Sequence, residues 1–397
     1  MPHQLFVAPE SRGDGTGLSP ADAADYRDFE SPDGFWKRTV ADLLELGSVS
    51  VSFAGGTYAR GQLFLESVGH GTHTLVLHGA PDHSTVFWIA PGDAPKSNIF
   101  CRRCTNLVFR YFRFTGAGEI DYVLRFRSGC TYMAIDRCLW EELPNVGFGA
   151  TGVTDAGTSH VTYTDCIFRR VGPDSHAHMM YHAHDAHHVT VSHCIFEDCA
   201  GDYVRFRDLV DHSSVVDCRF VSTGTYPSRE PASRPFITMP LFNDCKPGSD
   251  DCPDPLTHRQ YEYFGTHYVF ARNTFEYRNH PGHGNPFAIA FEHYGHDPPG
   301  RNHLLTPWEG NLLVRGEAEE RRMLLKANCG IDMDRVRVYS NQFVEVRRRF
   351  TFGSHVDYGA ATKGWEGYAN IDSLANADPG PDMRPGFEIA LPMTLLY

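Results

Sequence analysis

A column of Cys and Asn residues recurs along this chain at a nearly regular spacing. Each member ends a short strand of alternating apolar residues, as in "VTYTDCIF", "VTVSHCIF" and "VRVYSNQF". The members are Cys138, Cys166, Cys194, Cys218, Asn273, Asn311 and Asn341. They lie 28, 28, 24, 55, 38 and 30 residues apart, and the gap of 55 is either two periods or one period with an insertion. A repeat of this length predicts a solenoid.

The solenoid is predicted to be built of strands. The repeated segments alternate apolar and polar residues over four to six positions and end at Gly, Asp or Asn turns, a pattern typical of β-strands. A second strand family, including "YVLRFRSGC" and "YVRFRDLVD", precedes the first in each repeat. Each coil therefore holds at least two strands. Equivalent positions in stacked strands lie about 4.8 Å apart, so Asn can hydrogen-bond between coils and Cys can fill the same position as a small buried residue.

The chain resembles the right-handed parallel β-helix proteins of the pectate-lyase-like superfamily. Their inward Asn ladder is matched here by the Asn members of the column, and the first 58 residues look like their capping helix and first strands. Helical spacing in "WKRTVADLLEL", with Ser31 or Asp33 as a candidate N-cap, independently indicates a helix. We therefore expect an all-β, single-stranded right-handed parallel β-helix solenoid with an N-terminal helical cap.

One domain is expected over residues 1–397. Residues 1–70 would form the cap and first strands, residues 71–375 the coils with an insertion at 243–264, and residues 376–397 a tail. The resemblance implies a secreted or periplasmic protein by fold analogy, although the sequence starts without a recognisable signal peptide. A formal net charge of −13 argues against general nucleic-acid binding. No stretch reaches the roughly 18 apolar residues of a membrane helix, and a monomer is expected.

The second strand family carries a row of cations. Alternation predicts that Arg125, Arg127, Arg205 and Arg207 point outward, and Arg125 and Arg205 each lie 13 residues before a member of the Cys column. Neighbouring cations repel each other unless anions neutralise them. Two interpretations remain open: a groove that binds an anionic ligand, and a solvated sheet face with ion pairs.

Histidines are predicted to join this outward face. In "HMMYHAHD", strict alternation assigns His178, His182 and His184 to the outward face and Tyr181 to the inward face. Tyr181 would face outward only if the strand phase were shifted by one residue. The same phase argument adds Thr238, Glu292 and Lys326 to the outward face, and His293 follows Glu292.

The resemblance implies a groove for polysaccharides, and its members include lyases, glycoside hydrolases and epimerases. Regularly spaced Arg residues favour a uronate polymer, since guanidinium groups bind carboxylates bidentately. We predict a polysaccharide lyase acting by β-elimination on an acidic polysaccharide or oligosaccharide. Arg205 and Arg207 would neutralise the carboxylate and His182 or His184 would remove the proton, with Tyr181 and Lys326 as alternative bases. The predicted substrate-binding residues are Arg125, Arg127, His178, Glu292 and His293.

Three alternatives remain. A glycoside hydrolase would need two carboxylates facing a cleft, for which Asp202, Asp208 and Glu292 are candidates. A non-catalytic glycan-binding β-helix would need no such groups. A barrel enzyme with "HAHD" as metal ligands would leave the Cys and Asn column unexplained. No metal or other cofactor is implied by the motifs, although Asp198, Asp202 and Asp208 could bind Ca²⁺ instead of capping turns.

Overall fold

The computed structural model contains parallel strands and almost no helix in the residues that it describes. It describes residues 2–26, 39–59, 63–69, 71–92, 97–154, 157–208, 210–226, 234–243, 267–278, 287–295, 336–339, 341–344, 348–351, 366–368 and 371–372. One short helix, α1, spans Ala41–Leu46. Within these ranges, no helix has the length and apolar character needed to cross a membrane.

The strands are, in chain order, β1 His3–Ala8, β2 Ala24–Asp25, β3 Val49–Phe53, β4 Gly56–Tyr58, β5 Leu63–Glu66, β6 Leu75–His78, β7 Thr85–Trp88, β8 Ser97–Arg102, β9 Thr105–Arg110, β10 Arg113–Thr115, β11 Ile120–Arg127, β12 Thr131–Asp136, β13 Leu139–Leu143, β14 Val146–Thr154, β15 Ser159–Thr164, β16 Ile167–Val171, β17 His178–Ala183, β18 His187–Ser192, β19 Ile195–Cys199, β20 Val204–Phe206, β21 Ser214–Val216, β22 Arg219–Ser222, β23 Ile237–Asn243, β24 Tyr268–Ala271, β25 Thr274–Tyr277, β26 Phe287–Gly295, β27 Val336–Tyr339, β28 Gln342–Val344, β29 Arg348–Thr351, β30 Glu366–Tyr368 and β31 Ile371–Asp372.

These strands form three parallel sheets. The twelve-stranded sheet has the order β2-β1-β3-β6-β9-β12-β15-β18-β21-β24-β27-β30. The ten-stranded sheet runs from β4 to β31 and the nine-stranded sheet from β5 to β29, each taking every third strand. Each coil thus gives one strand to every sheet, where the sequence indicates at least two. The predicted parallel β-helix is confirmed.

The Cys and Asn column is a buried ladder between the twelve- and ten-stranded sheets. The backbone N–H of Cys218 donates to Oδ1 of Asn273 at 2.9 Å, and that of Asn273 donates to Oδ1 of Asn341 at 2.9 Å. The backbone N–H of Cys194 likewise lies 3.4 Å from Sγ of Cys218. Burial raises the pKa of the Cys194 thiol well above its ordinary value. The ladder prediction is confirmed for these coils, and the residue before each rung from Cys138 to Asn273 turns the corner with a left-handed φ, 56° at Asp217 for example.

The structure places no rung between Asn273 and Asn341, where the sequence interpretation has Asn311. Asn273 bonds directly to Asn341, and Thr274 pairs with Gln342 in adjacent strands. Asn311 itself lies outside the described residues. The gap of 55 residues is likewise one coil with an insertion, because Cys218 bonds directly to Asn273. Period alone therefore overcounts coils wherever a loop is long.

Aromatic rings fill the core on the inner face of the ten-stranded sheet. Rings from successive coils join a continuous stack, with centroids 4.4–5.6 Å apart from one ring to the next. Its members are Phe87, Phe114, Trp140, Phe168, Phe196, Phe220 and Phe275. Such contacts add about 0.5–1.5 kcal/mol per pair beyond the burial of apolar area. The stack holds successive coils in register and so fixes the strands of the other two sheets.

The N-terminal helix lies within the segment predicted to be helical. α1 covers the second half of that segment, and its Leu44 side chain is buried. Ser31 and Asp33, the candidate N-caps, lie outside the described residues. That this helix caps the coil stays a prediction. The strand β1 adds to the twelve-stranded sheet beside β3.

Candidate active site

Three rows of side chains cross the outer face of the nine-stranded sheet. The middle row, defined by strand register, is Phe64, Phe100, Arg125, Gly152, Tyr181, Arg205 and Thr238. The first row is Tyr122, Gly149 and His178. The third row is Glu66, Arg102, Arg127, Thr154 and Ala183. The predicted outward orientation of Arg125 and Arg205 agrees with this register.

Strict alternation fails between the first and middle rows. On each strand, the residue of the first row and the residue of the middle row are three positions apart. The two residues between them face the core, as Met179 and Met180 do. Tyr122, Tyr181 and Ala183 instead form a separate apolar cluster. The phase of β17 is therefore shifted by one residue from the predicted phase. Tyr181 faces outward beside Arg205, although its neighbours leave it only 6% exposed.

The outward position predicted for His182 is wrong. His182 pairs with Phe206, is fully buried, and packs against the rings of Tyr163 and Phe206 at centroid distances of 6.0 and 5.4 Å. Neither ring nitrogen has a hydrogen-bond partner among the described residues. Burial lowers the pKa of His182 to about 3, so this imidazole is neutral. It lies on the core side of the strand and is excluded as a base for a substrate on the outer face.

Tyr181 is held at the centre of the outer face by its neighbours. Nη1 of Arg207 donates to the phenolic oxygen at 3.0 Å. The ring of His178 stacks on the Tyr181 ring at a centroid distance of 5.5 Å, and Tyr122 meets it edge-on at 6.2 Å. A hydroxyl bonded to a guanidinium can exchange a proton with a ligand while the cation stabilises charge on the oxygen.

Glycines in β14 leave room for the Tyr122 ring. A Cβ atom on Gly152 would lie 2.5 Å from Cε1 of Tyr122, and one on Gly149 would lie 3.3 Å from the same atom. The Arg125 guanidinium covers the Tyr122 ring at 4.5 Å from its centroid, and its Nε donates to Oγ1 of Thr154 at 3.2 Å. Phe148, which is 48% exposed, stacks on Tyr122 at 5.9 Å. These contacts form an aromatic wall beside Tyr181.

Arg205 is bound by a buried carboxylate. Its Nε and Nη2 donate to Oδ2 of Asp202 at 2.8 and 2.5 Å. Nδ1 of His178 lies 3.8 Å from the same oxygen. Burial, followed by the charge of Arg205, lowers the pKa of His178 well below its ordinary value. His178 is therefore a neutral neighbour of an ion pair.

His184 is the exposed histidine of this face. Its side chain is 48% exposed, and its Nδ1 lies 3.2 Å from Oδ2 of Asp208, whose side chain is 8% exposed. Both residues closely follow their strands, and both have left-handed φ values, 58° for His184 and 44° for Asp208. When Nδ1 carries the proton and donates it to Asp208, Nε2 presents a lone pair.

The other predicted site residues have different outcomes. Arg127 is exposed in the third row. Glu292 and His293 lie on β26, in register with Pro240 and Leu241. Lys326 lies outside the described residues. Thr238, beside Arg205, is fully buried.

The acidic residues considered for Ca²⁺ have other partners. Asp198 accepts hydrogen bonds from the backbone N–H and Oγ1 of Thr223 at 2.8 and 2.6 Å, as a turn cap does. Asp202 binds Arg205 and Asp208 binds His184. Over the described ranges, no three His, Cys, Asp or Glu side chains converge as metal ligands.

Three features of this face are absent from the sequence predictions: Asp202 as the partner of Arg205, and the rings of Tyr122 and Phe148. A signal for Tyr181 was present, because it lies 13 residues before Cys194, as Arg205 lies 13 before Cys218. No comparable spacing identifies Phe148, which lies between Gly147 and Gly149.

The chain was compared with known proteins. No protein-family model matches it, and no curated protein sequence matches it. Among solved structures it is similar to an alginate lyase from Paenibacillus sp. str. FPU-7, with 11% identity, a TM-score of 0.52, and coverage of 87% of this chain and 96% of that one. Pectate lyase Pel9A is similar at 11% identity and a TM-score of 0.46, covering 94% of this chain and 78% of that one. At this identity the first likeness concerns the fold alone.

Proposed function

We propose that the protein is a polysaccharide lyase that cleaves a uronate-containing polysaccharide by β-elimination on the outer face of the nine-stranded sheet. The observation that carries this proposal is the pairing of two proton-transfer groups with their partners: Tyr181 with Arg207, and His184 with Asp208. The fold likeness to a protein named as an alginate lyase supports the substrate class.

The reaction requires three functions. The proton on the carbon next to the carboxylate is removed, the adjacent carbon–oxygen bond breaks, a carbon–carbon double bond forms, and the leaving oxygen takes a proton. That proton is weakly acidic until a cation neutralises the carboxylate. A base and an acid must therefore act beside a bound cation.

Each function has a candidate in this chain. Arg207 binds the substrate carboxylate, because its guanidinium already lies beside the hydroxyl of Tyr181. Nε2 of His184 removes the proton, and Asp208 orients its ring and stabilises the resulting imidazolium. Tyr181 donates its hydroxyl proton to the leaving oxygen, and Arg207 stabilises the developing phenolate. Tyr181 thus replaces His182 among the groups that act on the substrate.

The hydrolase alternative has less support. It needs one protonated and one ionised carboxyl group facing the same bond. Asp202 is 3% exposed and tied to Arg205, and Asp208 is tied to His184. Both carboxyl groups therefore already have partners within the protein.

Ultraviolet absorbance of the unsaturated product tests the proposal on a panel of uronate polymers. The wild-type protein should produce this absorbance, and Arg207→Ala, Tyr181→Phe and His184→Gln should each lower kcat by about 100-fold or more. His193→Ala is the matched control, since His193 is exposed at a corner between the other two sheets. New reducing ends without absorbance would establish hydrolysis. Binding without any bond cleavage would establish a glycan-binding protein, and wild-type rates in all three variants would overturn the assigned roles.

A further inference from the structure

Two phenylalanine rings lie together on the outer face, away from the proton-transfer groups. Phe64 on β5 is 40% exposed, and Phe100 on the adjacent strand β8 is partly exposed. Their rings are stacked, with centroids 5.4 Å apart and an angle of 16° between planes. Pairs of exposed aromatic rings on a soluble protein mark sites of interaction more often than single exposed residues do.

The aromatic pair belongs to the same row as Tyr181. Phe64, Phe100, Arg125, Gly152 and Tyr181 are successive register partners. Phe100 is thus three strands from Tyr181 and Phe64 is four, or roughly 14 and 19 Å at the strand spacing of parallel sheets. A sugar residue in an extended chain advances by about one strand spacing. A glycan lying along the row would bring its third or fourth sugar from Tyr181 over these rings.

The charged groups of the third row at this end are already paired. Glu66 forms ion pairs with Arg102, at 3.6 Å, and with Arg103. Since the stacked rings cover one face of each other, a ligand here meets the other face of Phe64, the more exposed ring on the edge strand β5, and the outward edges of both rings. The face of an aromatic ring is negative and attracts the positively polarised C–H groups on the apolar side of a pyranose.

We infer that Phe64 and Phe100 form a distal subsite, where the apolar face of a pyranose stacks three to four sugars from the bond that is cleaved. This inference rests on the proposed function for the position of cleavage, while the stacking itself does not depend on cleavage. Only a chain of at least four or five sugars would reach both Tyr181 and this subsite. The occupant is a sugar of the same glycan, because the rings continue the row that holds Tyr181.

Chain-length dependence tests the subsite. The probes are size-fractionated oligouronates of two to six residues, with binding measured by calorimetry on the Tyr181→Phe protein and turnover measured on the wild-type background. Phe64→Ala with Phe100→Ala should weaken binding and raise KM for five- and six-residue chains by about five- to tenfold. Values for two- and three-residue chains, and kcat throughout, should stay unchanged. Phe64→Trp should retain the affinity for long chains.

Trp88→Ala is the matched control, because Trp88 is 39% exposed on the ten-stranded sheet. It should leave binding of every chain length unchanged. An equal loss for short and long chains, or no loss with the double variant, would overturn the subsite. So would a change in sedimentation showing that the rings join two copies of the chain. Binding that depends on the rings without any elimination would refute the proposed reaction and leave the subsite intact.

Discussion

Replacing His182 with Leu should make the protein more resistant to acid. The imidazole is fully buried between aromatic rings, and neither ring nitrogen has a hydrogen-bond partner within the described ranges. Leu has a similar volume and no polar atoms, so it suits the same space. Since an unsatisfied buried polar group costs about 1–3 kcal/mol, the variant should already be more stable at neutral pH.

The pH dependence follows from the change in proton affinity on folding. Burial lowers the pKa of His182 from 6.5 in the unfolded chain to about 3 in the folded protein. Below pH 6.5 the unfolded chain binds a proton that the folded protein does not, so the free energy of unfolding falls as pH falls. The loss is about 1.4 kcal/mol per pH unit and ends near pH 3. It reaches about 3 kcal/mol at about pH 4.5 and is nearly absent at about pH 7.5.

Urea denaturation at about pH 7.5 and about pH 4.5, followed by circular dichroism, measures this effect. Other titrating groups, including buried His178, act equally on both proteins. The stability difference between His182→Leu and wild type should grow by about 3 kcal/mol between the two pH values. His193→Ala should show no such growth. Stability curves for His182→Leu and wild type that stay parallel with pH would refute the burial of an uncharged, unpartnered imidazole.

Two further predictions concern the ladder and the aromatic wall. The thiols of Cys138, Cys166 and Cys194 are buried with raised pKa values, so a thiol reagent should leave them unlabelled until denaturant is added, and rapid native labelling of Cys194 would contradict the ladder. Gly152→Ala would bring a Cβ 2.5 Å from Cε1 of Tyr122, so it should lower kcat/KM on uronate oligomers at least about tenfold by displacing the wall beside Tyr181. Gly71→Ala, at an exposed position where a Cβ meets nothing within 4 Å, serves as its control, and equal kinetics for the two variants would refute the close approach.

The fold could be predicted from sequence because every coil places the same steric demand on its ladder position. Every coil needs a small side chain at the same corner, and short apolar strands flank it, so Cys194, Cys218 and Asn273 are recognisable by their spacing and flanking residues alone. Asn311 shares this local pattern, yet Asn273 bonds directly to Asn341. That bond spans 68 residues of chain, and a local pattern contains no information about contacts at such a distance.

The site was predictable only in part, for a reason visible in β17. Arg205 was assigned to the outer face in the correct phase because its strand alternates regularly from Val204 onward. In β17, two consecutive residues face the core, so alternation counted from the first row reverses the assignments of Tyr181 and His182. The polarity of histidine also favoured the wrong assignment, because polar side chains are more often exposed and His182 is fully buried.

Cys218 bonds directly to Asn273, and Asn273 bonds directly to Asn341, although 55 and 68 residues of chain separate the two members of each pair. The stacking of coils therefore does not depend on how many residues each coil contains. In both coils the additional residues enter at the ends of strands of the nine-stranded sheet, between β22 and β23, between β23 and β24, and between β26 and β27. The ladder, with its hydrogen bonds and stacked rings, lies at the opposite corner. The chain between these strands can therefore differ in length while the ladder continues unbroken. For protein engineering, the connections between these strands can therefore be exchanged without altering the ladder that stabilises the coils. Thermal stability and the binding properties of the nine-stranded sheet can then be varied separately.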